Sequence, residues 1–290
     1  ERFDVRDGCK LLLIVDRARD YSRIEKPERI VETGPGSYPS AALMSGSRVY
    51  VTHYYSELRI FDAEFAADPN VVKLPFKQPS QLALMPNGDI VIVFARHVAV
   101  FDAARLQHRA TLAEGLRTGL GVAVDGDKVF VSDGKDNSIW VIRCSTGALL
   151  QRVTPVVRGR PLLCPSGLAV VEGQLAVADR RNNRIVFLDL ETLEECSELP
   201  SNDDVPQSKL SRPNDVKVDS AGNVLVMDTG NERLAVFRNG LFVSSVMPGF
   251  FKDHGNTFSN ICYNEVTGAI VATNDDEHCL TVLAPIFQEP

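Results

Sequence analysis

A chain of 290 residues, 44% hydrophobic and 24% charged, can bury a substantial core, which excludes intrinsic disorder and collagen-like structure. No apolar run approaches the roughly 18 residues of a membrane-spanning helix, and residues 1–8 (ERFDVRDG) are too charged for a signal peptide. The 38 acidic against 31 basic residues give a net charge of −7, which argues against non-specific nucleic-acid binding through overall charge.

The first residue is glutamate, so the sequence reads as a piece of a longer chain. Two β-rich segments open it, KLLLIVD (10–16) and ERIVET (28–33). From residue 39 a repeat takes over. The openings YPSAALM, QPSQLAL, TGLGVAV, CPSGLAV, RPNDVKV and FSNICY, marked by Pro39, Pro79, Gly119, Pro165, Pro213 and Phe258, recur at intervals of 40, 40, 46, 48 and 45 residues. Each opening strand runs into a turn whose glycine recurs in every unit, at Gly46, Gly88, Gly126, Gly173, Gly222 and Gly268, where a hairpin asks for positive φ. A second strand follows (RVYVTHY, DIVIVFA, KVFVSD, QLAVAD, NVLVMD, AIVATND), then a third (LRIFD, VAVFD, IWVIR, RIVFLD, RLAVFR, LTVLA). A weaker fourth, such as ALLQRV or LFVSSV, closes most units.

Three or four antiparallel strands in about 44 residues make a β-propeller blade, so the fold class expected is all-β, a six-bladed propeller with four-stranded antiparallel blades. The whole of 1–290 reads as one domain, with blades at 39–78, 79–118, 119–164, 165–212, 213–257 and 258–290. The sixth unit ends without a fourth strand. The segment at residues 1–38 is expected to complete it, with 28–33 as its outer strand and 10–16 as the competing candidate, because closure removes the open edges of a linear array.

Six cysteines (Cys9, Cys144, Cys164, Cys196, Cys262, Cys279) lie no closer than 17 residues apart and form no C-x-x-C. With the five histidines equally dispersed, the pattern reads as a reduced, cytoplasmic chain with no zinc site, no other metal and no cofactor.

Blades four and five end their second strand in Asp, with Asn three and Arg five residues later: Asp179, Asn182, Arg184 and Asp228, Asn231, Arg233. Blade three keeps Asp133. An aspartate that caps a turn and pairs with an arginine is a scaffold device, so these five charged residues are not site candidates. Together with the openings PSGLAV and PNDVKV, they resemble the NHL repeat. NHL propellers are most familiar at the C-terminus of tripartite-motif ubiquitin ligases, behind a RING, a B-box and a coiled coil. The resemblance implies a non-catalytic module that recognises a protein substrate or adaptor for such a ligase, in a parent protein dimeric through the coiled coil. RNA binding in post-transcriptional repression is the alternative. A second alternative is a lactonase-like enzyme with a divalent metal in the central channel, for which Asn214, Asp215 and Asn260 are the available ligands. No nucleophile motif or phosphate-binding loop is present, and no RING-type zinc spacing either.

Antiparallel order places the loops between second and third strands on the same face as the connections between blades. Between Arg152 and Arg184 lie six arginines and only two acids. Arg158 and Arg160 fall in a connection and Arg180 and Arg181 in a loop of that face, joined by Arg96, Arg117 and Lys135. A basic sector over blades two to four is therefore expected. Tyr54 and Tyr55, and Phe250 and Phe251, supply aromatic anchors, and Asp275, Asp276 and Glu277 an acidic counterpart.

Overall fold

The computed structural model describes residues 19–20, 29–32, 38–62, 65, 69–200, 205–246, 258–264, 268–274, 279–283 and 286–287. Six four-stranded antiparallel sheets stand around one axis, and each inner strand contacts the inner strands of its two neighbours, the sixth meeting the first. The inner strands are Pro39–Ser45, Pro79–Leu84, Gly119–Asp125, Pro165–Val171, Pro213–Val218 and Phe258–Tyr263, which begin at the six repeat markers. All six turn glycines have φ between 52° and 84°.

The second strands read as nearly unbroken apolar runs because both their faces are covered. Ile90–Phe94 is buried at every position, as is Asn223–Asp228. Neighbouring blades share six hydrophobic cores, one per blade junction: Phe94 and Phe101 fill that between blades I and II, and Val51 and Val271 that between VI and I. Burial on both faces favours continuous hydrophobicity over alternation, the pattern usual for covered sheets.

The ring is closed from the opposite end of the chain. Arg29–Glu32 is the outer strand of blade VI, antiparallel to Cys279–Leu283 with Val31 opposite Leu280. This is the 28–33 segment that the sequence points to; 10–16 lies outside the described residues. A feature without a sequence signal is a short second ladder in which Arg19–Asp20 pairs with Ile286–Phe287.

Every inner strand carries a register shift directly after its marker, for example between Pro39 and Ala41 and between Pro213 and Asp215. A bulge turns a side chain away from the pleat. Here it aims the residue following the marker at the neighbouring blade: the Ser80 hydroxyl donates to Gly119 O at 3.1 Å, and Ser166 to Pro213 O at 3.4 Å. The Pro-Ser openings are thus seams between blades.

Candidate functional site

The aspartates at the ends of the second strands organise the loop face. Asp179 Oδ1 accepts from the backbone N–H of Leu163 at 2.7 Å, while Oδ2 accepts from Asn182 Nδ2 and Arg184 Nε, both at 2.8 Å. Asp228 repeats the pattern with Ser211 N–H, Asn231 and Arg233. Asp133 accepts from the N–H groups of Arg117 and Thr118. Each carboxylate therefore ties the incoming connection to its own blade, with both oxygens used. At Asp228 burial pushes the pKa up, against the N–H of Ser211, Asn231 and Arg233, which pull it down. In blade I the equivalent position, opposite Pro39, is His53. Burial first, and then the Arg59 charge, lower its pKa to about 3 against an opposing pull from Glu57.

On the face so held, the nine described site candidates occupy loops and connections of one side. Tyr54 and Tyr55 lie in the blade I loop, where Tyr55 is 60% exposed and packs edge-to-face on both Tyr54 and Tyr38. Arg96 and Lys135 lie in the loops of blades II and III, Arg117 in the connection between them, and Arg180 and Arg181 in the loop of blade IV. All of these cations are exposed except Arg180, which is half-buried. Phe250, Phe251, Asp275, Asp276 and Glu277 fall outside the described residues.

The structure revises the charge of the basic sector. Arg184 is buried and bonds both Asp179 and Glu198, the latter at 2.7 Å. Glu198 also takes Arg158 at 3.1 Å and Arg160 at 3.5 Å, and Arg158 reaches Glu195. Arg152 bonds Asp136 and covers Trp140, holding the Asp136 carboxyl below the usual range. The neutralising acids Glu195 and Glu198 sit on the outer strand of blade IV, beyond the stretch whose charges the sequence counts. Among the described residues, Arg96, Arg117, Lys135, Arg180 and Arg181 make no ion pair, and neither do Lys77, Lys209 and Arg212 in the connections of blades I to II and IV to V. The last three follow from the same rule, since any cation in a connection belongs to this face. Many of the acids lie at the opposite face, where the first turns of the blades carry Asp89, Asp125, Asp127, Glu172 and Asp219.

The central channel is bridged. Gln81 of blade II donates through Nε2 to Asp215 Oδ1 of blade V at 2.6 Å and to Asn260 Oδ1 of blade VI at 2.7 Å. Asp215 is 0% exposed and accepts as well from Val216 N–H, Ile261 N–H and Lys217 Nζ. Blade IV meets it with Gly167, where a Cβ would stand 2.1 Å from Asp215 Oδ1. With its oxygens taken by four donors, Asp215 does not fit a hard cation, which needs several free oxygen ligands. Asn214 turns to Ser259 O instead. The channel residues of the lactonase-like alternative thus form a cross-ring hydrogen-bond network.

These features define a six-bladed propeller whose loop face is clamped by strand-end aspartates. The NHL repeat family model matches the chain at residues 162–186 and 210–237, the two stretches that hold the complete Asp, Asn and Arg sets of blades IV and V. No curated protein matches the chain. No helix among the described residues is long and apolar enough to cross a membrane.

Proposed function

We propose that this propeller is a non-catalytic recognition module that binds a protein partner through its loop face. The observation that carries the reading is the arc of cations that make no ion pair among the described residues, from Arg96 through Arg117 and Lys135 to Arg181, next to the exposed Tyr54 and Tyr55. Arginines and tyrosines of this kind are the usual anchors of protein interfaces. The bridged channel supports the non-catalytic part of this reading, because protein donors occupy the Asp215 carboxylate that the lactonase-like alternative would use to hold a metal. Selection of substrates for a tripartite-motif ubiquitin ligase, with a dimeric parent in the cytoplasm, is the context the NHL resemblance supports.

RNA is the second reading, favoured by the same cations beside ring faces able to stack on bases. Against it, Glu198 offsets part of the charge of Arg158 and Arg160, and the exposed Val156 and Leu163 on the same connection give a phosphate chain nothing to hold. Filter binding of a single-stranded RNA pool over a salt series separates the two. Weak retention is expected; tight retention that falls steeply with salt would overturn the protein reading.

Arg96, Arg117, Lys135 and Arg181 are the residues to reverse to Glu in testing the face. Arg158 and Arg160 are less suitable, because their contacts with Glu198 also hold the fold.

A further inference from the structure

We infer that a hairpin in the connection between blades III and IV is the docking element of this face, and that it receives a protein segment carrying aliphatic side chains among carboxylates. This rests on the recognition-module reading and names the partner's chemistry.

The connection VVRGRPLL folds into a ladder of its own, Val156–Val157 against Arg160–Pro161. The turn residues Arg158 and Gly159 have φ of 49° and 72°, the pair of positive values of a type I′ hairpin turn. Alternation along the hairpin divides it. Val157 and Leu162 enter the core between blades III and IV, whereas Val156 stays 57% and Leu163 38% exposed.

The outward side chains stand on a fixed base. Arg184 donates to Val157 O and Arg160 O, Glu195 accepts from Arg158 N–H, Asn182 donates to Pro161 O, and Leu163 bonds through its N–H to Asp179 and through its O to Arg181 N–H. A preformed apolar surface binds with little loss of conformational freedom. Around it, Arg158 and Arg160 keep more than half of their side-chain surface exposed, with donors to spare beyond Glu198, and Arg181 is exposed and makes no ion pair among the described residues. Guanidinium groups in such an array grip carboxylates in bidentate fashion. Branched aliphatic side chains offer nothing to a phosphate chain, so the combination fits an acidic, aliphatic peptide segment.

The test starts from peptides selected from a random displayed library on the full chain and resynthesised with a fluorophore. Fluorescence anisotropy then compares wild type, Val156→Ser/Leu163→Ser, and Arg96→Glu/Arg117→Glu/Lys135→Glu, with melting temperatures as a control for folding. Selected peptides are expected to combine aliphatic and acidic residues, and to bind the hairpin variant at least about tenfold more weakly at an unchanged melting temperature. Equal binding to the hairpin variant overturns the inference. If the charge-reversed variant then loses the peptides, the face still recognises protein and only the hairpin's role fails. Failure to recover any binding peptide, with single-stranded RNA retained instead, overturns both.

Discussion

Replacing Asp215 with Asn changes one atom at the centre of the ring, and its cost follows from the donors around it. Oδ1 accepts from Gln81, Val216 and Lys217, and Oδ2 from the N–H of Ile261 at 3.0 Å. An amide has one oxygen, so its NH2 must face at least one of these donors. The cheaper orientation turns it toward Ile261, leaving a buried N–H without an acceptor, at about 1–3 kcal/mol. The Lys217 bond also loses its opposite charge, and charge-assisted bonds are about twice as strong as neutral ones. With about 1 kcal/mol for that loss, the total is about 2–4 kcal/mol, or about 4–8 °C in melting temperature at ~2 °C per kcal/mol for a domain of this size. Urea unfolding followed by the fluorescence of the buried Trp140 measures it directly. A loss below about 1 kcal/mol would refute the argument, since it would mean that the cross-ring network is not holding the blades.

Deleting residues 1–38 removes the strand that pairs with Cys279–Leu283 and exposes the edge of blade VI; the melting temperature should fall steeply, and an unchanged melt would show that closure does not depend on it. Glu198→Gln weakens the bonds of three arginines at once, and calorimetry should show a loss of about 2–4 kcal/mol, most of it from the buried Arg184. His53 is neutral in the fold, with a pKa lowered to about 3, while the unfolded chain takes up a proton near pH 6.5. Stability is therefore full above that pH and is lost as pH falls from about 6.5 toward 3, by about 2 kcal/mol at pH 5. His53→Phe, which places at this position the residue blade II has in Phe94, should flatten the melting temperature between pH 7 and pH 5, as thermal scans can show.

The blades were legible because their marks are local. A marker, a turn glycine and an apolar run fall within some twenty residues, and the Asp, Asn and Arg of the clamp within six. The charge balance of the face was not legible for the opposite reason. Glu198 and Arg158 are far apart along the chain and meet only because the outer strand of blade IV runs beneath the connection that precedes the blade. The bridge between Gln81 and Asp215 spans 134 residues and joins blades on opposite sides of the ring, and no sequence period relates the two. Clustering charge along the chain located the basic segment and missed its counterions, because a sheet brings distant strands together more closely than successive loops.

Ring closure by Arg29–Glu32 also sets an order of events during synthesis. This strand is made before any of the blades, yet its partner Cys279–Leu283 is made about 250 residues later, an interval of about 10–50 s at ordinary elongation rates. Until then the strand has no place in a sheet, and a chain interrupted before blade VI keeps two open edges. Completion of the last blade thus acts as a check on the ring: a chain broken off before Cys279–Leu283 cannot seal it, and leaves the edges of the first and last finished blades unpaired.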